Sequence, residues 1–468
     1  MIRDDGEKGA LLRMMRIKNN IDAVRTQGTL NKNSNRMQKD LKRVSSGMKI
    51  NGAADDASGY AISERMRTKI RSLDQAKQNT QNGTSMMKVA EGAVSSTVDI
   101  LKKMKEKAIN AANDTNTDSD RQTIQKEFNQ FIDQIDDNAN VTYNGKYLVD
   151  GSHNNGIEAT ATVLANDYLE EPANLTNKRK FTELNDRNGQ SLGIIESDSI
   201  TISLVQDAKT YTRQYDIGTN TLSDTIADFM MDIMKDGYKG EIAILDSQEY
   251  YGYNGFKEKV APAAGNRTTV ITMGPKDPNA NPPTIEDYQK GLEHQLGGIT
   301  LSITDKDGQV KKSANAVLNQ FHEVIRAQNA SKDNALVFQV GDKSNQAIKV
   351  GLTDMRSQAL ALRGQNGDTV NIATQANANA AIEVLDNALA KALDQQTSIG
   401  AVQSRLAYTA DNLTVASTNC LASESAIRDA DMAKEMTAYT RDNVLLQAAQ
   451  AMLSQANNQA SSVLSLLQ

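Results

Sequence analysis

Tryptophan is absent from this chain, and aromatic residues make up only 4% of it. A globular catalytic core in a 468-residue chain normally draws on many more rings for buried volume. This one must pack through smaller side chains. The single cysteine, Cys420, excludes an intramolecular disulfide framework and any multi-cysteine metal site. Its sequence neighbours Asn419, Leu421 and Ala422 offer no cation to stabilise a thiolate, so Cys420 reads as a small buried hydrophobe. Three histidines leave little material for zinc or acid–base chemistry, and no cofactor motif is present. A polyanion-binding balance is also missing. The 52 basic and 58 acidic residues give a net charge of -6, which argues against nucleic acid as a partner. No run reaches the ~18 consecutive apolar residues of a membrane span, so no membrane insertion is expected. Residues 1–20 mix charges throughout and lack an apolar run of signal-peptide length.

What the chain does have is an oily C-terminal stretch. From Met436 to Gln468 apolar residues recur at helical spacing: Leu445, Ala449, Met452, Ala456, Ala460, Val463 and Leu467. Leu446, Leu453, Leu464 and Leu466 widen the stripe, and acidic residues disappear after Asp442. Each buried Leu or Val is worth roughly 1.5–3 kcal/mol relative to exposure. Such a helix must pack on something, either the rest of this chain or another copy of it.

Three zones follow from the patterning. In the first, about 15–164, Ile21, Val24, Met37, Leu41 and Val44 form a sparse helical stripe that ends at Ser45-Ser46-Gly47. The loop Met48–Ala57 carries Asn51-Gly52 and the pair Asp55-Asp56, either of which can cap the next helix. Met66, Leu73, Thr80, Met87, Val94, Leu101 and Ala108 then keep a strict seven-residue period, which predicts a long coiled-coil helix. With Lys77, Thr80 and Glu91 in the seam, this zipper is expected to tolerate some water. After the polar turn Asn113–Asn116, Ser119 and Gln122 read as a capping box for a helix that aligns Ile124, Phe128, Phe131, Ile132 and Ile135. Tyr143-Asn144-Gly145-Lys146 is a hairpin turn signal. The middle zone, about 165–333, holds all six prolines and the alternating segments Ile200–Leu204 and Ile299–Ile303, the period of half-buried strands. The third zone opens with a hairpin over Ala335–Leu352 and continues as helices over about 377–420 and 431–468. The predicted fold is mainly α. N- and C-terminal helices pair into an antiparallel coiled-coil bundle, with a β-hairpin and a β-rich (α+β) central insert that returns the chain to where it left.

Specific motifs sharpen this picture. The segment Leu41-Lys-Arg-Val-Ser-Ser-Gly-Met-Lys-Ile-Asn-Gly-Ala-Ala-Asp-Asp-Ala-Ser-Gly-Tyr-Ala-Ile62 closely resembles the N-terminal signature of bacterial flagellin. Ser423-Glu-Ser-Ala-Ile-Arg-Asp-Ala-Asp-Met-Ala-Lys-Glu-Met436, with Leu446–Asn457 after it, resembles the C-terminal signature. The resemblance implies a structural subunit, not an enzyme, that self-assembles into the helical flagellar filament used for swimming. It implies that residues 15–56 with 434–468 form an inner coiled coil, 57–164 with 334–433 a helical core, and 165–333 a variable outer domain. Ser46, Gly47, Asn51, Asp55, Asp56 and Arg428 are then the expected assembly joint, and Leu445, Met452, Val463 and Leu467 the inner-coil contacts. A helical homopolymer needs one face of each copy to meet a different face of the next. Other implied partners are the flagellar export apparatus, an export chaperone at the C-terminal helix, and the filament cap and hook-junction proteins. Localisation is expected in the extracellular filament, reached without a cleavable signal peptide. Family chains usually begin a few residues before Ile17–Asn20, so residues 1–14 read as a leader or a mis-called start, with Met14 or Met15 the natural beginning.

Rival readings are a hook–filament junction protein, which shares the terminal plan, and an enzyme or adhesin housed in residues 165–333. The peptidase lead is His322-Glu323-Val-Ile-Arg326. Zinc would need H-E-x-x-H, and Arg326 replaces the second imidazole with a cation, so the segment reads as a solvated helix. The vertebrate innate receptor for flagellin recognises a patch matching Leu101–Glu127. Lys103 and Glu127 keep the family's charges there. Lys107 stands where a leucine is usual, and loss of that apolar anchor is expected to weaken binding.

Overall fold

The computed structural model describes residues 20–166, 168–169, 180–235, 242–245, 252–254, 258–260, 269–273 and 290–465. The leader with Met14 and Met15, and Leu466 and Leu467, lie outside the described residues. Chain order is α1 (Ile21–Ser46), α2 (Ala57–Ala112), α3 (Asp118–Ala139), β1 (Thr142–Tyr143), β2 (Lys146–Tyr147), β3 (Val163–Asn166), β4 (Ser199–Gln206), β5 (Lys209–Asp216) and α4 (Leu222–Lys235). There follow β6 (Ile242–Leu245), β7 (Gly252–Asn254), β8 (Glu258–Val260), β9 (Thr269–Met273), β10 (Leu296–Thr304), α5 (Lys312–Leu318), β11 (Phe321–Ile325), β12 (Leu336–Gln339), β13 (Ala347–Val350), α6 (Gln375–Arg428) and α7 (Met432–Ser465). The contacts divide into two units, one comprising the chain up to residue 78, 341–344 and from 410 onward, the other 79–340 with 345–409.

In the first unit α1 and α7 run antiparallel. Asn20 accepts from the Ala23 amide as N-cap, and its own side chain donates to the Ala456 carbonyl at 3.0 Å. Asn33 donates to the Leu445 carbonyl at 3.3 Å, and Arg43 meets Glu435 at 3.5 Å. The α7 seam toward α1 buries Asp442 and Ala449 and half-buries Leu446, Leu453 and Ala456. Leu445 and Met452 lie off that seam, 42% and 62% exposed. Farther along, Leu73 and Ala76 of α2 pack on Leu413 of α6. Cys420 is half-buried, its Sγ 3.8 Å from the Met66 carbonyl oxygen. The sequence expectation of full burial is therefore corrected: Cys420 sits at the margin of the α2–α6 contact, where part of its surface meets solvent.

The second unit carries the main core. Thr80, Met87, Val94, Leu101 and Ala108 are all completely buried, as a heptad requires. Thr80 is thus as dry as its apolar neighbours. Glu91 is half-buried and accepts from Gln403 at 2.8 Å, so the expected wet seam is here a side-chain contact. Phe128, Ile132 and Ile135 of α3 are fully buried against α2. The capping box of α3 is Thr117 with Asp120, not Ser119 with Gln122. Thr117 is the extended residue at ψ 162°, and a carboxylate suits the positive helix end better than an amide. The β1–β2 turn has Asn144 and Gly145 at φ 51° and 76°, the signature of a type I′ hairpin. In the β12–β13 hairpin the Phe338 ring lies over Gly83 of α2, where a Cβ would come within 3.0 Å of it.

The insert sheet β10-β4-β5 is antiparallel and buries Ile200, Ile202 and Leu204 opposite Ile299, Leu301 and Ile303. Phe229 and Ile233 of α4 and Leu318 of α5 close that core. A second sheet has the order β11-β3-β9-β6. The 322–325 segment is strand β11 rather than a solvated helix, and the Glu323 side chain is only 7% exposed. Pairing with β3 overrides the helical reading of this short charged run, since one turn of side-chain charge carries little propensity.

Candidate functional site

The expected joint residues lie within the first unit and gather around the end of α1. Helix α1 stops because Gly47 takes a left-handed conformation at φ 70°, letting its amide bond back to the Arg43 carbonyl at 2.9 Å. The Ser46 hydroxyl accepts from the Met48 amide at 3.2 Å and stiffens the exit. Two backbone hydrogen bonds then clasp this turn to the end of α6. The Lys49 amide donates to the Arg428 carbonyl at 2.7 Å, and the Ala430 amide to the Gly47 carbonyl at 2.9 Å.

The loop is self-bonded. Asn51 donates from its amide to Asp55 at 3.1 Å and from its side chain to the Met48 carbonyl at 2.9 Å. Asp55 meets Lys39 of α1 at 3.0 Å, and that hydrogen bond holds its carboxyl below the usual range. Asp56 caps α2, accepting from the Ser58 and Gly59 amides at 3.0 Å each. A side chain at Gly59 would strike Asp56 and the buried Ile50, so glycine is needed where the loop folds back on the helix.

Arg428 closes the knot. Only 7% exposed, it donates to Glu64 at 2.7 Å, places Nε 3.1 Å from Met48 Sδ, and lies 5.7 Å from the Tyr60 ring centroid. The Arg428 hydrogen bond keeps the Glu64 carboxyl ionised to lower pH than usual. Ser46, Gly47, Asn51, Asp55, Asp56 and Arg428 thus come together. Sequence reasoning missed Met48, Tyr60 and Glu64. Tyr60 and Glu64 stand one turn apart on α2, so a single helix face carries both partners, but nothing in the sequence pairs that face with Arg428 more than 360 residues away.

Leu445 and Met452 lie on the open side of α7, and Val463 belongs to the same helix. Of the receptor-patch residues, Lys103 is exposed on α2, while Lys107 pairs with Glu127 of α3 at 2.8 Å. Lys107 is therefore a bridge between two helices. Among the described residues no group of three or more His, Cys, Asp or Glu could hold a metal ion, and no helix is long and apolar enough to cross a membrane.

Known proteins share this plan. Residues 17–154 match the bacterial flagellin N-terminal helical region, and residues 382–467 the C-terminal helical region. The flagellin of Clostridium tyrobutyricum is 31% identical over 446 residues, spanning 95% of this chain and all of that relative. The flagellin of Bacillus subtilis strain 168 is 30% identical over 456 residues, 97% of this chain and all of the relative. Among solved structures, FliC from Burkholderia pseudomallei is 19% identical over 69% of this chain and 99% of its own, with a TM-score of 0.24, a likeness too loose to add weight. With both helical regions matched and two relatives at or above 30% along nearly the whole length, the chain belongs to the bacterial flagellins.

Proposed function

We propose that α1 and α7 form the inner coil of the filament and that the Ser46–Asp56 loop with Arg428 sets the angle at which that coil leaves the helical core. The observation that carries this reading is the split face of α7: one seam is satisfied by α1, while Leu445 and Met452 stand in solvent in the lone chain. Apolar side chains left open on a long helix gain burial when further copies arrive. The protein is a filament subunit by family. Its working contribution is mechanical, with no catalytic step, and residues 165–333 face outward from the tube.

Extracellular delivery through the flagellar export apparatus follows from the same reading, without a cleavable signal. An export chaperone then covers the oily α7 until assembly, and the hook-junction and cap proteins bound the filament at its two ends. Vertebrate receptor recognition would use the α2–α3 patch, reduced by the charged Lys107. Purified full-length protein mixed with short filament seeds should elongate them, as seen by electron microscopy. Removal of residues 434–468 should abolish growth, and growth by the truncated chain would overturn the proposal.

A further inference from the structure

Unit two holds a chemical feature that filament assembly does not use. Lys391, in the first third of α6, is only 7% exposed, and its ammonium donates to the Ala359 carbonyl at 2.7 Å. It nevertheless lines a cavity of about 720 Å³, walled by Ser331, Asn334, Thr353, Asp354, Arg356 and Ala359. That volume lies within the ~300–1,000 Å³ of small-molecule sites. The charges around the amine come from three elements. Glu323 of β11 and Asp354 of the loop after β13 favour its ammonium form, and Arg326 opposes it. Arg326 is itself held by Asp394 at 2.7 Å and lies 3.3 Å from Glu323.

We propose that Lys391 is a carbonyl-reactive amine that captures small aldehydes entering this cavity as imines. A lysine becomes a nucleophile when desolvation strips away the hydration that stabilises its ammonium form. Burial is the largest influence on Lys391 and pushes its pKa below that of an ordinary lysine. Burial also lifts the Glu323 carboxyl to about 7. The step balances without an oxidant. Lys391 gives one proton to water, its lone pair attacks the aldehyde carbon, and a proton moves through water from nitrogen to oxygen to give a carbinolamine. A proton from water then joins the carbinolamine hydroxyl, which leaves as water. The carbon–oxygen double bond is replaced by a carbon–nitrogen double bond, the nitrogen keeping one proton as an iminium.

The test is reductive trapping of purified full-length protein with propanal and cyanoborohydride, read residue by residue by mass spectrometry across a pH series. Exposed Lys102 and Lys103 serve as internal standards. Because burial pushes its pKa below the ordinary lysine value, Lys391 carries a larger neutral fraction near neutrality and should be alkylated severalfold faster than the standards there. Its rate should also reach a plateau at lower pH. If Lys391 labels more slowly than Lys102 and Lys103, as its small exposed area alone would dictate, or follows their pH profile, the assignment is wrong.

Discussion

At the residue scale, two side chains show how this fold spends its charges. Arg428 replaces its water with a carboxylate, a thioether and a ring at once, joining α6 to α2 and to the loop. Arg428→Ala should lower the unfolding temperature of the first unit and should impair seeded growth. Arg428→Lys should recover only part, because an ammonium cannot reach Glu64 and Met48 together. Differential scanning calorimetry and a growth assay check both. Glu383 of α6 packs against Gly298 of β10, beside Asp386 and with Lys105 as the facing cation. Burial first, then the Asp386 charge, lifts its carboxyl from 4.5 to about 8. Because the folded pKa lies above the unfolded one, the stabilisation is complete below about 4.5 and is lost as pH rises through about 8. Glu383→Gln should therefore be more stable than wild type above pH 8 and equal to it in acid, in chemical denaturation at the two pH values. Equal stabilisation at both would refute the sign.

At the element scale, the long helices were legible, the short α4 and α5 of the insert were not, and the strands were legible only in part. A seven-residue period running from Met66 to Ala108 needs no tertiary information, and the structure buries it from Leu73 onward. The Ser45-Ser46-Gly47 stop, the Asn144-Gly145 turn and the two alternating insert strands were equally visible because each rests on local backbone chemistry. The cap of α3 slipped by two residues, since Thr117 and Ser119 both head plausible boxes and only the extended backbone at Thr117 decides between them. Strand β11 was hidden because five residues, two of them polar, carry too little pattern, and partnering with β3 some 150 residues earlier is invisible in sequence. Phe128, completely buried on α3, should cost about 3–5 kcal/mol on replacement by alanine, measured by chemical denaturation. The α1–α7 pair hides a different liability. Asp40 and Asp442 are both under 10% exposed, and burial, then Asp442 and Glu435, raise the Asp40 carboxyl against the lowering effect of Arg43 and Arg441. By the same linkage, this pairing tightens as pH falls. Asp40→Asn should accordingly raise the thermal midpoint of the first unit at neutral pH, and a lowered midpoint would show that the arginines dominate.

At the scale of the whole molecule, the family assignment and the oily end of α7 point to one claim: the lone chain is incomplete. The sequence showed that the terminal helix was too apolar for water but not which face α1 would take. The stripe drawn from Leu445 through Met452 to Leu467 treats all its members alike, whereas the described part of the seam runs through Asp442, Leu446, Ala449, Leu453 and Ala456 and leaves Leu445 and Met452 outside. That division follows from packing one helix on another, since a single neighbour covers only part of a helix surface. It makes Met452 a reporter of assembly. Mild peroxide oxidation of purified monomer and of assembled filament, with sulfoxide at Met452 quantified by mass spectrometry, measures the cover directly. Rapid oxidation in the monomer and strong protection in the filament are the expected result, whereas the same rate in both states would mean that sister copies never cover this face.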